Sequence, residues 1–219
     1  SNNTILTNGT STNNDGIFIE TNSNNNTINR ASIQVSGSSD TAGVRITNSL
    51  NNTIANSTIR TVTSIGTTHQ GIVMSTANLT TINNVTIFTQ GTNGFALNFT
   101  EANFSQVSTV TLNYTLEWIT TGTGTINNFT NILFATPNGT IFTNGTITAN
   151  GSFFVTQTRL NISRDRAFIN TTNLTFLNTT AQIILLNTGQ NNPQPIVDEN
   201  DDELFAPCLP PQCVVITIA

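Results

Sequence analysis

The chain contains no lysine, one histidine, one methionine, one tryptophan and two cysteines in 219 residues. Charged residues are 8% of the total, against about 25% in an ordinary soluble domain. The six basic residues are Arg30, Arg45, Arg60, Arg159, Arg164 and Arg166, and the formal net charge is -5. Scattered arginines on an acidic chain cannot supply the basic footprint that neutralises phosphates, so nucleic acid is excluded as a partner. No apolar run approaches the roughly 18 residues of a membrane span. The chain opens at Ser1 with no basic-then-apolar leader, and the expectation is an extracellular mature form from which a signal peptide has been removed. Low charge also argues against disorder, because Ile, Val, Thr and 13 Phe are the residue types that disordered segments lack.

Asparagine and threonine fill the space that charge leaves. The phrase Asn-Asn-Thr-Ile occurs at Asn2 to Ile5, at Asn25 to Ile28 and at Asn51 to Ile54. A second marker, Gly followed by alternating apolar residues, begins at Gly16, Gly43, Gly71 and Gly94. Two markers recurring in one order define a repeat of about 25 residues. Within it, runs such as Ala31 to Val35 and Val85 to Phe88 alternate with period two between turn residues, which specifies short strands. No window keeps a helical period, and Asn, Thr and Gly disfavour helix. The unit is too short for a propeller blade and lacks a leucine ladder.

The expected fold is therefore all-β: a right-handed parallel β-helix, or solenoid, of about seven turns between Ser1 and Leu186, with three short strands per turn and a C-terminal extension. The Asn-Thr-Ile phrases, with Asn at the corner and Ile inward, resemble the parallel β-helix repeats of the pectin-lyase-like superfamily, including its NosD-like and surface-protein members. That resemblance implies a fold and no particular activity. Residues 98–169 are richer in Phe and are expected to continue the same solenoid with drifting turns; a boundary between two β-domains near residue 100 is the alternative. The expected organisation is a β-helix over 1–188, an acidic Pro/Asn linker over 189–207, and a disulfide loop with a terminal strand over 208–219.

The most abundant motif is the N-glycosylation acceptor Asn-x-Ser/Thr, present at Asn2, Asn8, Asn25, Asn51, Asn56, Asn78, Asn84, Asn98, Asn103, Asn113, Asn128, Asn138, Asn144, Asn150, Asn161, Asn170, Asn173 and Asn178. Chance pairing of the 35 Asn with the chain's Ser and Thr gives roughly nine such triplets. Turn Asn and strand Thr two residues apart explain part of the pattern, and selection for glycan attachment is the preferred account of the excess. Covalent glycans also keep a weakly charged surface soluble.

Signals for catalysis are sparse. The solenoid carboxylates Asp15, Glu20, Asp40, Glu101, Glu117 and Asp165 fall mostly in different phases of the repeat, and nothing in the spacing holds two of them at glycosidase distance. Asp15 and Asp40, each preceding a Gly-apolar strand, are the best enzymatic case, with corner residues as the plainer reading. His69 has no second His or Cys nearby and reads as a surface residue beside a turn. Tyr114, Glu117 and Trp118 could offer a sugar-stacking platform, though packing is the commoner role for a large aromatic. Arg164-Asp165-Arg166 reads as a local ion pair, and Asp198 to Glu203 as a solvated acidic run rather than a calcium loop. No cofactor or metal is expected.

The resulting functional expectation is a non-enzymatic, N-glycosylated subunit of an extracellular surface filament. Copies of the chain would stack end to end because the sequence begins directly with a rung phrase, and the strand Val214, Val215, Ile216, Thr217 and Ile218 would add to a neighbour's sheet edge or fold back on its own. The alternatives are a monomeric surface adhesin and a polysaccharide lyase or hydrolase. Cys208 and Cys213 lie five residues apart across two prolines that hold the loop bent, and we expect them to be joined. Thiol titration of freshly isolated, denatured protein should find no free cysteine; two reactive thiols would remove the loop that fixes where the last strand departs.

Overall fold

The computed structural model describes residues 3–9, 14–37, 40–62, 68–90, 94–113, 117–164, 166–170, 174–177, 179–186, 196–197 and 206–207. It is an all-β solenoid. The winding part contains β1 (Asn3–Asn8), β2 (Ile17–Glu20), β3 (Thr27–Asn29), β4 (Ala31–Ser36), β5 (Thr41–Thr47) and β6 (Thr53–Val62). It continues with β7 (His69–Ser75), β8 (Thr81–Thr89), β9 (Phe95–Thr100), β10 (Gln106–Asn113), β11 (Glu117–Thr121) and β12 (Ile126–Thr136). One sheet runs β1-β4-β6-β8-β10-β12, with β3 also on β6, and the other runs β2-β5-β7-β9-β11; every pairing among these strands is parallel.

The repeat length is read directly from the register. Thr27 pairs with Thr53, Thr53 with Thr81, Thr81 with Gln106 and Gln106 with Asn128, steps of 26, 28, 25 and 22 residues. The same steps separate the left-handed residues Arg30, Asn56, Asn84, Thr109 and Asn131. These bend each long strand of the first sheet into two straight runs, so a turn has three runs in all. A second pair of left-handed residues, three apart, closes the opposite corner at Asn22 and Asn25, Asn48 and Asn51, Thr76 and Leu79, and Glu101 and Phe104. Asn is frequent at these positions because its short polar side chain tolerates positive φ.

Inside, side chains stack on their own kind. One column is Ile5, Ile33, Ile59, Ile87, Leu112 and Phe134; another is Ile28, Ile54, Ile82, Val107 and Phe129. The second sheet supplies Ile17, Val44, Ile72, Leu97 and Ile119. The marker glycines stand where the two sheets converge: a Cβ at Gly43 would overlap Ile59 Cγ2, and one at Gly71 would overlap Ile87 Cγ2.

The winding stops after about four turns rather than seven. The turn at Pro137 and Asn138 reverses the chain. Then β13 (Gly139–Asn150) runs antiparallel to β12, β14 (Phe153–Thr156) antiparallel to β11, and, beyond β15 (Leu160–Ile162), β16 (Ala167–Ile169) and a 3-10 turn at Thr175–Leu177, β17 (Ala181–Leu185) antiparallel to β13. The Phe-rich stretch is thus partly a layer of antiparallel strands stacked on this end, not further turns with drifting corners. Aromatic rings fill it: Trp118 meets Phe134 edge-on at 5.4 Å, and Phe129 lies against both Phe99 and Phe153. Two further two-residue strands, β18 (Ile196–Val197) and β19 (Ala206–Pro207), pair with each other. No helix is long and apolar enough to cross a membrane among the described residues.

The glycine contacts make a quantitative test. Gly43→Ala forces a methyl group into the Ile59 side chain and should destabilise folding by about 1–3 kcal/mol, as overpacking does. Ser32→Ala, on the exposed side of β4, should stay within about 0.5 kcal/mol of wild type. Urea titration measures both; an unchanged midpoint for Gly43→Ala contradicts the close approach.

Candidate functional site

Fifteen of the eighteen acceptor asparagines lie among the described residues, and none of the fifteen is buried: Asn8, Asn25, Asn51, Asn56, Asn84, Asn144 and Asn150 are exposed, and the other eight are half-buried. Asn2, Asn173 and Asn178 lie outside the described residues. Asn52 and Asn127, the two buried asparagines among the described residues, are not acceptors. Their carboxamides serve the corner instead. Asn52 Oδ1 accepts the Asn26 N–H at 2.9 Å, while Asn127 Oδ1 accepts the Ser105 N–H at 3.1 Å and its Nδ2 donates to the Ala102 carbonyl.

The exposed acceptors are ordered by the stacking. Asn51 Nδ2 donates to Asn25 Oδ1 at 2.7 Å, and Asn84 Nδ2 donates to Asn56 Oδ1 at 2.9 Å, each pair one turn apart. Asn78 and Asn103 form a third pair at the same corner as Asn25 and Asn51, with Asn78 Oδ1 accepting the Asn103 N–H at 2.8 Å. Beside them the corner carries the exposed apolar side chains of Leu50, Leu79 and Phe104.

The strongest polar cluster joins Asp15, Arg45 and Asp40. Arg45 Nε donates to Asp15 Oδ2 at 2.6 Å and its Nη2 to Asp15 Oδ1 at 3.2 Å, while Asp40 Oδ1 lies 4.0 Å from Nη2. Asp15 Oδ1 also accepts the Ala42 N–H at 2.8 Å. Both carboxylates that preceded Gly-apolar strands in the sequence approach one guanidinium, Asp15 at Nε and Nη2 and Asp40 at Nη2. What they share is Arg45, which points outward from β5 one turn beyond Asp15, a partnership that only the repeat spacing could have suggested. The Asp15 side chain is 8% exposed and its oxygens are held by three N–H groups, so it is engaged as an anchor; Asp40, at 55%, faces solvent.

Other candidates resolve into packing. Trp118 is buried, and its Nε1 donates to the Leu160 carbonyl at 3.3 Å, so it is no exposed platform. Glu117 beside it has its pKa raised by burial. Glu101 occupies a left-handed corner and accepts a long hydrogen bond from the Thr76 hydroxyl. Arg166 lies over the Phe168 ring at 5.0 Å. Tyr114, Asp165, the acidic run, Cys208, Cys213 and the strand from Val214 to Ile218 lie outside the described residues. Among the described residues no three His, Cys, Asp or Glu side chains cluster as metal ligands would.

His69 corrects the reading of a surface histidine. It opens β7 fully buried, pairs in register with Thr41, and shares a 3.0 Å hydrogen bond between its Nδ1 and the Thr41 hydroxyl. Its Nε2 is buried without a hydrogen-bond partner among the described residues. The sequence signal was available, since His69 is followed by Gln70 and the marker Gly71 and so begins a strand rather than a turn.

Comparison with protein-family models, curated proteins and solved structures finds no match for this chain.

Burial lowers the His69 pKa. The folded chain therefore binds fewer protons than the unfolded chain between the lowered value and the ordinary value of about 6.5. Stability is complete above that ordinary value and falls as pH drops through the window below it. Glu117, whose pKa is raised by burial, acts with the opposite sign. We expect the Tm to fall between pH 7 and pH 5, and His69→Gln to flatten that slope. A wild-type Tm unchanged over this range contradicts a neutral buried ring.

Proposed function

We propose that this chain is a structural subunit of an extracellular, N-glycosylated surface filament, built by head-to-tail stacking of solenoids. The observation that carries the reading is the unequal covering of the first turn. Ile5, Ile17 and Ile28 are only half-buried, whereas the residues paired with them one turn on, Ile33, Val44 and Ile54, are 1%, 0% and 0% exposed. β1, β2 and β3 each have a strand partner on one side alone among the described residues. Such an edge accepts a further β-strand layer, from a preceding part of the same chain or from a neighbouring copy, and the filament reading assigns that layer to a copy. The opposite end is built of antiparallel strands, with β14 and β17 likewise paired on one side alone among the described residues, so the two ends differ and a contact between them is heterologous, propagating as a fibre where its rotation does not close a ring.

The acceptors support the glycan part. All fifteen described ones reach the surface, and a charge-poor surface needs another source of solubility.

A second reading, polysaccharide lyase or hydrolase, rests on the Asp15–Arg45–Asp40 cluster. It is the weaker one, because Asp15 is already saturated by Ala42 and Arg45. Turnover of acidic or neutral polysaccharides that is lost in Asp15→Asn would favour it.

Two measurements test the filament. Native material should have an intact mass several kilodaltons above the 23.5 kDa polypeptide and should form long polymers in electron micrographs. Deleting Val214 to Ala219 should abolish the polymers while leaving the β circular-dichroism spectrum intact, since solenoid stability is a sum of rung and neighbour terms. Monomeric particles in native preparations sink the reading.

A further inference from the structure

Stacking fixes the distance between equivalent acceptors. Asn25 and Asn51 begin the same phrase, Asn-Asn-Thr-Ile, one turn apart; both are exposed and both adopt positive φ, at 60° and 55°. The hydroxyl residues of the two motifs, Thr27 and Thr53, are register partners. Asn56 and Asn84 repeat the arrangement at the other bend, with φ of 49° and 53° and with Thr58 paired to Thr86. In both pairs the carboxamides touch: Nδ2 of the later residue donates to Oδ1 of the earlier.

A primary amide nitrogen carries two N–H groups, and a glycosidic bond replaces one of them. One linked sugar can therefore leave the ladder hydrogen bond in place. Two cannot be placed so easily. Neighbouring strands are separated by about 4.8 Å, and two carboxamides in hydrogen-bond contact hold their nitrogens at about that same spacing. A single pyranose ring with its substituents fills that interval, leaving no room for a second branch growing in the same direction. Both side chains are held in one orientation by that hydrogen bond, so neither can turn away without breaking the ladder.

We propose, on the reading that the acceptors are glycosylated, that Asn25 and Asn51 exclude one another as attachment sites and that Asn56 and Asn84 do the same, so a folded chain carries at most one glycan per pair. Where sugars are added before folding, a doubly modified chain cannot close that rung and drops out of the folded population.

Native folded protein is denatured and cleaved after Glu20 and Glu101, which leaves all four asparagines on one fragment. Electron-transfer fragmentation then reads which of them bear sugar on the same molecule. Co-occupancy within each pair should be at least about tenfold below the product of the two single-site occupancies, a coupling of ~1.4 kcal/mol. Asn25 and Asn84, on different bends and two turns apart, should follow the product. Asn25→Gln, which keeps a carboxamide in the ladder, should raise occupancy at Asn51, and Asn51→Gln should do the converse. Molecules sugared at both members of a pair in proportion to the product overturn the exclusion and leave the glycoprotein reading standing. Bare asparagine at all four positions on chains that carry sugar elsewhere overturns the exclusion alone, and an intact mass equal to the 23.5 kDa polypeptide overturns the glycoprotein reading with it.

Discussion

Everything in this molecule depends on the hydrogen-bond ladder that holds one turn over the next at about 4.8 Å. In a parallel stack each residue faces its own counterpart, so any choice made once must be tolerable when repeated on top of itself. Isoleucine meets isoleucine down the interior, as in Ile33, Ile59 and Ile87, and asparagine meets asparagine outside, as in Asn29, Asn56 and Asn84. A carboxamide is suited to this because it carries a donor and an acceptor. Each one passes a hydrogen bond along the column.

The repeat, the strands and the inward faces were legible in the sequence because the ladder imposes them on every turn. The Asn-Asn-Thr-Ile phrase marks a corner where positive φ is required, and the Gly-apolar phrase marks a site with no room for a Cβ. The direction of the later strands was not legible from alternation, since period two is common to parallel and antiparallel strands. The missing signal was local: Pro137-Asn138-Gly139 is a turn sequence between two alternating runs, and it is where the chain reverses from β12 into β13. His69 was misjudged for a related reason, its neighbours Thr67 and Thr68 suggesting a turn although strand pairing already begins at His69.

At the candidate site the legible part was chemical type and the illegible part was proximity. Eighteen acceptors can be counted without a structure, but only the register shows which of them touch. Likewise Asp15 and Asp40 could be named, while Arg45, 30 residues from Asp15, is tied to them only through the repeat spacing, since it reaches Asp15 across a rung.

The same constraint accounts for the scarcity of charge with which the sequence begins. Two like charges in adjacent rungs would stand about 4.8 Å apart and repel by roughly 1 kcal/mol even in water, and several-fold more where solvent is partly excluded. A column of them would accumulate that repulsion at every step. Accordingly no register pair among the described strands joins two like charges: Arg60 lies between Gln34 and Phe88, whose ring it covers at 4.6 Å, and Arg45 between Phe18 and Val73. The charged residues that remain are singletons in their columns or, like Asp15 and Arg45, meet with opposite sign. A chain selected to stack on itself is thereby driven toward neutral polar residues, and the surface it presents is uncharged for the same reason that its interior is aligned.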